Sequence, residues 1–393
     1  MESRRQPVSC RDSIVAARVS ESRRTGCHPL DRSPSVPDTI AIVNTSRSNN
    51  LDAIRLVAAL TVLVGHAWPL SGTPHAPRVA GIPIFTLAVY VFFAASGFLI
   101  TKSWIRLHDV RTFLRHRVMR IFPALLVLII VTVLLVGPMV TTLSLPEYAG
   151  NSGTWTYLVN VTLVATYALP GVFLDHPRPV VNGSLWTLGP EFVCYLAVLV
   201  IGLLSRLAPQ KANRAVGIVI VSTMTAVIVA LGLTVSPNSP LHDTLTAVVF
   251  FGVGSIIGRL SPKGLPLAPA VGGLTLWLVV GSVAPAWSIP LAWLAIPVAV
   301  VALGLRSAPV IRRAGRFGDL SYGTYLWGYL IEQLVIAVVP DIGVAGLIVI
   351  AAPVTLVIAY VSWRLIERPS LAWARGNSGS TREPPSLTSR VGV

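Results

Sequence analysis

"LDAIRLVAALTVLVGHAWPLSG", residues 51 to 72, decides the class of the chain. A run of this length and composition crosses a hydrocarbon core, which takes roughly 20 apolar residues. Two of its residues do not belong in oil: Arg55 near one end and His66 near the other. An eleven-residue separation is close to three full helical turns, so both lie on one face, about 16 Å apart along the axis. Each has a plain reading. Arg55 fits a snorkelling interfacial residue paired with Asp52, and His66 fits a hydrogen-bonded core imidazole. Titratable groups inside spans are costly and usually face the protein interior or a watery path. The shared face makes such a path the sharper expectation.

The rest of the chain agrees with the class. Of 393 residues, 53% are hydrophobic and 12% are charged, against about 25% charged in a soluble protein. Mean hydropathy is +0.71. Apolar stretches fall at 52–70, 83–103, 121–140, 155–170, 188–205, 215–235, 244–260, 267–284, 287–304, 320–338 and 343–363. The net charge of +15 does not form one patch, which argues against a nucleic-acid partner. The arginines sit in short clusters between apolar runs, where a membrane protein keeps its cytoplasmic charge. Those clusters are Arg106 to Arg120, Arg206/Lys211/Arg214, Arg259/Lys263, Arg306 to Arg316 and Arg364/Arg368.

Counting inward from both ends with those loops inside leaves 155–170 starting and finishing on the same face. That stretch is short and carries Thr156, Tyr157, Asn160, Thr162 and Thr166. The expectation is an all-α, polytopic transmembrane bundle of about ten spans, with one re-entrant or interfacial helix at 155–170. Both termini face the cytoplasm, although Arg178 lies in a loop assigned outside. Residues 1–48, rich in Arg, Ser and Pro, read as a disordered basic tail or an over-extended start of the reading frame. They lack the apolar core of a secretory signal. Residues 49–372 form the membrane domain, and 373–393 form a second polar tail. Cys10, Cys27 and Cys194 show neither metal-ligand spacing nor a disulfide framework. No internal repeat stands out, and the oligomeric state is not legible.

Further polar groups lie within or beside the apolar runs. In "NGSLWTLGPEFVCYL", residues 182–196, Glu191 sits in the first turns of a span. Helix N-termini favour anions, so it is either a capping carboxylate or, at a depth similar to His66, the acid–base partner of that imidazole. In "FFAASGFLITKSW", residues 92–104, the small run Ala94 to Gly97 suits close helix packing. Arg117 and Arg120 in "FLRHRVMRIFP", residues 113–123, are topology anchors or a clamp for phosphate, which guanidinium forks suit. Glu332, deep in the tenth span, is a functional candidate by its position.

Together these pieces resemble the acyltransferase 3 family of integral membrane acyltransferases. The Arg-x10-His first helix, "FFAASGFLIT", "RVMRIFP", "LWTLGPEF", "GDLSYGTYL" and the terminal "IERP" match its motifs in order from Leu51 to Pro369. The resemblance implies O-acylation: transfer of an acyl group, usually acetyl from acetyl-CoA, to a hydroxyl of a carbohydrate, glycolipid or other extracytoplasmic acceptor. It implies a multi-pass protein of the inner (plasma) membrane and no metal. By this likeness His66 is the catalytic base and Glu191 occupies the family's carboxylate position. Arg55, Arg117 and Arg120 serve acyl-CoA binding or site integrity. Two positions depart from the pattern. Phe192 stands where a second carboxylate is often found, and Gly328 where a His is common. Competing classes are a proton-coupled transporter or flippase, which also buries Arg, His and Glu, and a non-catalytic scaffold.

Overall fold

A computed structural model describes residues 50–237, 239–260, 265–306 and 318–376. Most of the proposed tails (1–48 and 373–393), together with Lys263, Arg312, Arg313 and Arg316, lie outside the described residues. The chain is a helical bundle, and the strands among the described residues are one two-residue pair, β1 (Arg78–Val79) and β2 (Ile82–Pro83). The long helices are α1 (Leu51–Leu70), α2 (Ile84–Leu107), α3 (Val110–Val131), α7 (Leu188–Ser205), α8 (Asn213–Thr234), α9 (Pro240–Leu260), α10 (Leu267–Val283), α11 (Ser288–Gly304), α12 (Ser321–Val338) and α13 (Val344–Ser362). A π-turn prolongs α3 into α4 (Gly137–Val140), and another prolongs α13 into α14 (Arg368–Gly376). Eight helical segments are long and apolar enough to cross a membrane. With α10 at 17 residues and α12 at 18, ten long helices result. The protein is a multi-pass membrane protein.

The stretch 155–170 forms no span-length helix. It holds the end of α6 (Ser152–Thr156), preceded by α5 (Leu145–Gly150), then a 3-10 turn at Tyr157–Thr162. The deeper excursion belongs to the segment after it. Asn182 is buried and its amide donates to the carbonyl of Leu326, midway along α12, at 2.9 Å. A side chain on Gly183 would run into the ring of Tyr329. The chain therefore dips into the bundle before α7 begins, and α7 starts deep.

Loops segregate by charge. Contacts join the arginine-bearing connections to one another: Arg206 to the carbonyl of His108, Arg214 to those of Arg259 and Leu260, and Arg120 to Glu367. The cation-poor connections meet at the opposite end, where Ser288 donates to the carbonyl of Ala80 and Thr142 to that of Gly171. Helices α2 and α9 cross closely. A Cβ on Gly97 would collide with the carbonyl of Phe251, and one on Gly254 with that of Ala94. Packing accounts for the small run of α2, as expected.

Helix α12 is the hub. Its residues 321–333 are all buried, though they include Ser321, Thr324, three tyrosines, Glu332 and Gln333. It runs parallel to α1, because Arg55 meets Asp319, Leu63 abuts Gly328 and His66 meets Tyr329 in rising order.

Candidate active site

At the Arg55 end, four separated charges form one network. Asp319, in the turn before α12, accepts from Arg55 Nη1 at 2.8 Å and from Arg120 Nη2 at 2.7 Å on the same carboxylate oxygen. Its other oxygen accepts from Ser321 Oγ at 2.5 Å. Arg120 also reaches Glu367 at 3.4 Å, and Ser362 donates to that carboxylate at 3.2 Å. Burial alone would raise the Asp319 carboxyl, but Arg120 and Arg55 outweigh it and hold the group well below the usual carboxylate range. Arg120 lies over the Tyr322 ring, while Arg117 lies over the rings of Phe113 and Tyr195.

Glu191 belongs to this half of the molecule. It accepts from Ser96 Oγ of α2 at 2.9 Å and from Tyr195 Oη at 2.5 Å. With Arg55, Phe92, Thr187, Ser321 and Tyr325 it lines a small cavity of about 30 Å³. Each sequence motif thus supplies a side chain to one neighbourhood. Arg55 comes from the first helix, Phe92 and Ser96 from "FFAASGF", Arg120 from "RVMR" and Glu191 from "LWTLGPEF". Asp319 comes from "GDLSYGTYL" and Glu367 from "IERP".

The expected pairing of Glu191 with His66 is not what the fold makes. On α2, His66 packs against Phe85, whereas Glu191 is held by Ser96. Those two anchors are eleven residues apart, about 16 Å along the helix. The cause is the dip before α7, which carries Glu191 toward Arg55 and away from His66.

His66 sits between α2 and α12, its ring 5.4 Å from Phe85 and 5.2 Å, edge-on, from Tyr329. The residue is half-buried, and its Nδ1 is buried without a hydrogen-bond partner among the described residues. Glu332 lies about one turn beyond Tyr329, the residue of α12 that His66 meets. It is fully buried, and both carboxylate oxygens lack partners among the described residues. Buried polar groups are nearly always satisfied, so each of these two orphans keeps hydrogen-bonding capacity for a group that the described residues do not supply. Asp319 and Glu367 received no role from the sequence, although both stood inside motifs that pointed to this family. Phe192, at the position of the missing carboxylate, packs on Phe122 and Tyr195.

The comparisons with known proteins agree with this convergence. The family model described as "Acyltransferase domain", that of acyltransferase 3, matches residues 48–364. The chain is 29% identical to an O-acetyl transferase of Shigella phage Sf6 over 351 residues, covering 87% of this chain and 99% of the relative. It is 28% identical to nodulation protein 10 of Rhizobium leguminosarum bv. viciae over 368 residues, 84% of this chain and 94% of the relative. With acyltransferase MdmB of Streptomyces mycarofaciens it shares 27% over 320 residues, 72% and 79% of the two chains. No solved structure matches the chain. A motif set that folds into one neighbourhood, inside a match spanning most of the sequence, places this chain in the acyltransferase 3 family as a membrane-embedded O-acyltransferase.

Proposed function

We propose that the protein moves an acyl group, acetyl by the name of its phage relative, from acyl-CoA to a hydroxyl of a carbohydrate or glycolipid outside the cytoplasm. It sits in the inner membrane with its arginine-bearing loops and both termini in the cytoplasm, the orientation favoured by the segregation of those loops. Acyl-CoA enters from the Arg55 end. Arg117, held over the rings of Phe113 and Tyr195, adds its charge to the potential that draws the donor's phosphates. Arg55 and Arg120, already committed to Asp319, keep the entrance in shape and contribute positive potential. Glu191, with Ser96 and Tyr195, shapes the wall along which the acyl-pantetheine arm passes. His66 is the base, and Glu332, about one turn beyond its neighbour Tyr329, is the carboxyl group assigned to support it.

His66 takes the proton of the acceptor hydroxyl as the oxygen attacks the thioester carbonyl. The new C–O bond forms, the C–S bond breaks, and the proton passes from the imidazolium to the departing thiolate. General-base assistance of this kind contributes about 10²–10⁴-fold. It requires hydroxyl and carbonyl within about 3–3.5 Å of each other. The observation that carries the reading is the imidazole with an orphaned Nδ1, on the same face of α1 as an arginine anchored in the family's motif network. In cells expressing His66→Ala, mass analysis of surface glycans and lipids should show the acyl increment lost while the protein stays at normal level in the membrane. An unchanged increment would refute the assignment.

A further inference from the structure

At the end of the bundle away from Arg55 lies a cavity of about 350 Å³, within the size range of small-molecule sites. Its walls are the last turns of α1 and α12, the 171–177 loop and the α12–α13 connection. Leu70, on its lining, is one turn beyond His66 on α1, about 6 Å along the axis. The wall is built rather than incidental. Gln333, fully buried, accepts from His176 Nδ1 through its Oε1 at 2.8 Å and donates through Nε2 to the carbonyls of Arg178 and Val180 at 2.7 and 2.6 Å. Phe173 stacks on His176 with ring centroids 4.7 Å apart. Asp175 and Asp341 present exposed carboxylates to the space, beside the hydroxyls of Ser71 and Thr142. Gln333 stands behind the lining rather than on it, bonded to the lining residue His176 and next in sequence to the buried Glu332.

The chemistry of that lining selects a class of ligand. Carboxylates accept charge-assisted bonds from hydroxyls. The remaining polar groups are hydroxyls and an imidazole, with an aromatic ring behind them. Two acidic groups repel an anion. The volume accommodates a sugar ring and part of a neighbour rather than a length of polymer. We propose that this cavity is the acceptor site and that it binds a neutral, polyhydroxylated ring, presenting one hydroxyl inward toward His66. The proposal rests on the acyl-transfer reading and adds to it the place and the charge class of the acceptor.

The test uses the full-length protein in lipid nanodiscs. The probe is surface polysaccharide of the source cells, stripped of its esters with mild alkali, and its binding is followed by surface plasmon resonance. Wild type and His66→Ala should bind it alike. The double variant Asp175→Asn/Asp341→Asn should bind at least about tenfold more weakly, the loss expected for hydrogen bonds to charged groups. Asn tolerates the positive φ of Asp341, +60°, so the backbone is kept. Ala337→Trp, which fills the cavity and leaves the acids in place, should also abolish binding. The equilibrium affinity for acetyl-CoA, read by isothermal titration, should stay unchanged in every variant. Equal binding by wild type and both cavity variants, or no binding by any, overturns the proposal. Transfer by His66→Ala is the separate result that overturns the catalytic reading, so the two failures are distinct.

Discussion

Helix α1 carries a guanidinium at one end and an imidazole at the other, and the two ends treat polar groups in opposite ways. At Arg55 every ionised group in the network has a counter-charge, although Arg55 Nε itself is unpartnered among the described residues: one Asp319 oxygen takes two guanidinium groups, and Glu367 takes the second arm of Arg120. At His66 the polar atoms are left open, with Nδ1 of the imidazole and both oxygens of Glu332 unpartnered among the described residues. A closed network holds four helices in register and has little left to offer a reaction. An open pair costs stability and retains hydrogen-bonding capacity for a hydroxyl. The difference separates scaffold from chemistry along one helix.

Removing Asp319 should have the largest effect. Asp319→Ala leaves two buried guanidiniums without their shared counter-charge, and breaking a buried pair costs about 3–5 kcal/mol. Fluorescence size-exclusion of the detergent-extracted protein should show most of it lost to aggregate. The same residue predicts an acid dependence. Its folded carboxyl is depressed by Arg120 and Arg55 against the burial that would raise it. Its contribution to stability is therefore complete above the unfolded value of about 3.9 and declines as pH falls from there toward the lower folded value. Thermal melts between pH 6 and pH 3 should show this decline in wild type, and Asp319→Asn should lack it.

Glu332→Gln tests the other end and should act with the opposite balance. A buried carboxyl group without a counter-charge is held neutral, and the amide matches it in size, so the melting temperature should hold. Transfer should nevertheless fall by about tenfold or more, about 1.4 kcal/mol of barrier. A variant that loses stability and activity together would place Glu332 in the scaffold and erase the contrast. Ser96→Ala should have the smallest effect. It deletes one interhelical hydrogen bond to Glu191, which in membrane proteins averages about 0.6 kcal/mol. A modest drop in melting temperature with little change in the KM for acceptor is expected.

Much of this was legible in the sequence because it depends on local periodicity. The helical period put Arg55 and His66 on one face, and apolar length placed the spans. The small run around Gly97 announced a tight crossing, and the motif set named the family. What stayed hidden was depth and partnership. The expected match of Glu191 with His66 assumed that each span starts near the membrane surface. Asn182 and Gly183 instead enter the bundle beside Leu326 and Tyr329, so α7 begins low and Glu191 meets Ser96. Asp319 lies 264 residues from Arg55, a pairing that no spacing rule reaches. Helix α12 is the counterpart of α8. The long apolar α8 buries only Gly217, Val221 and Thr225, whereas α12, the more polar of the two, is buried almost throughout. Hydropathy marks the helix that faces lipid more clearly than the one that carries the site.

Single-turnover transfer from radiolabelled acetyl-CoA, with purified protein in proteoliposomes and de-esterified glycan on the face bearing the outer cavity, tests the central claim most directly. The account predicts that wild type labels the glycan, and that a properly folded His66→Ala protein binds acetyl-CoA with wild-type affinity yet labels glycan at least about 10²-fold more slowly. Labelling at the wild-type rate without that imidazole would contradict it.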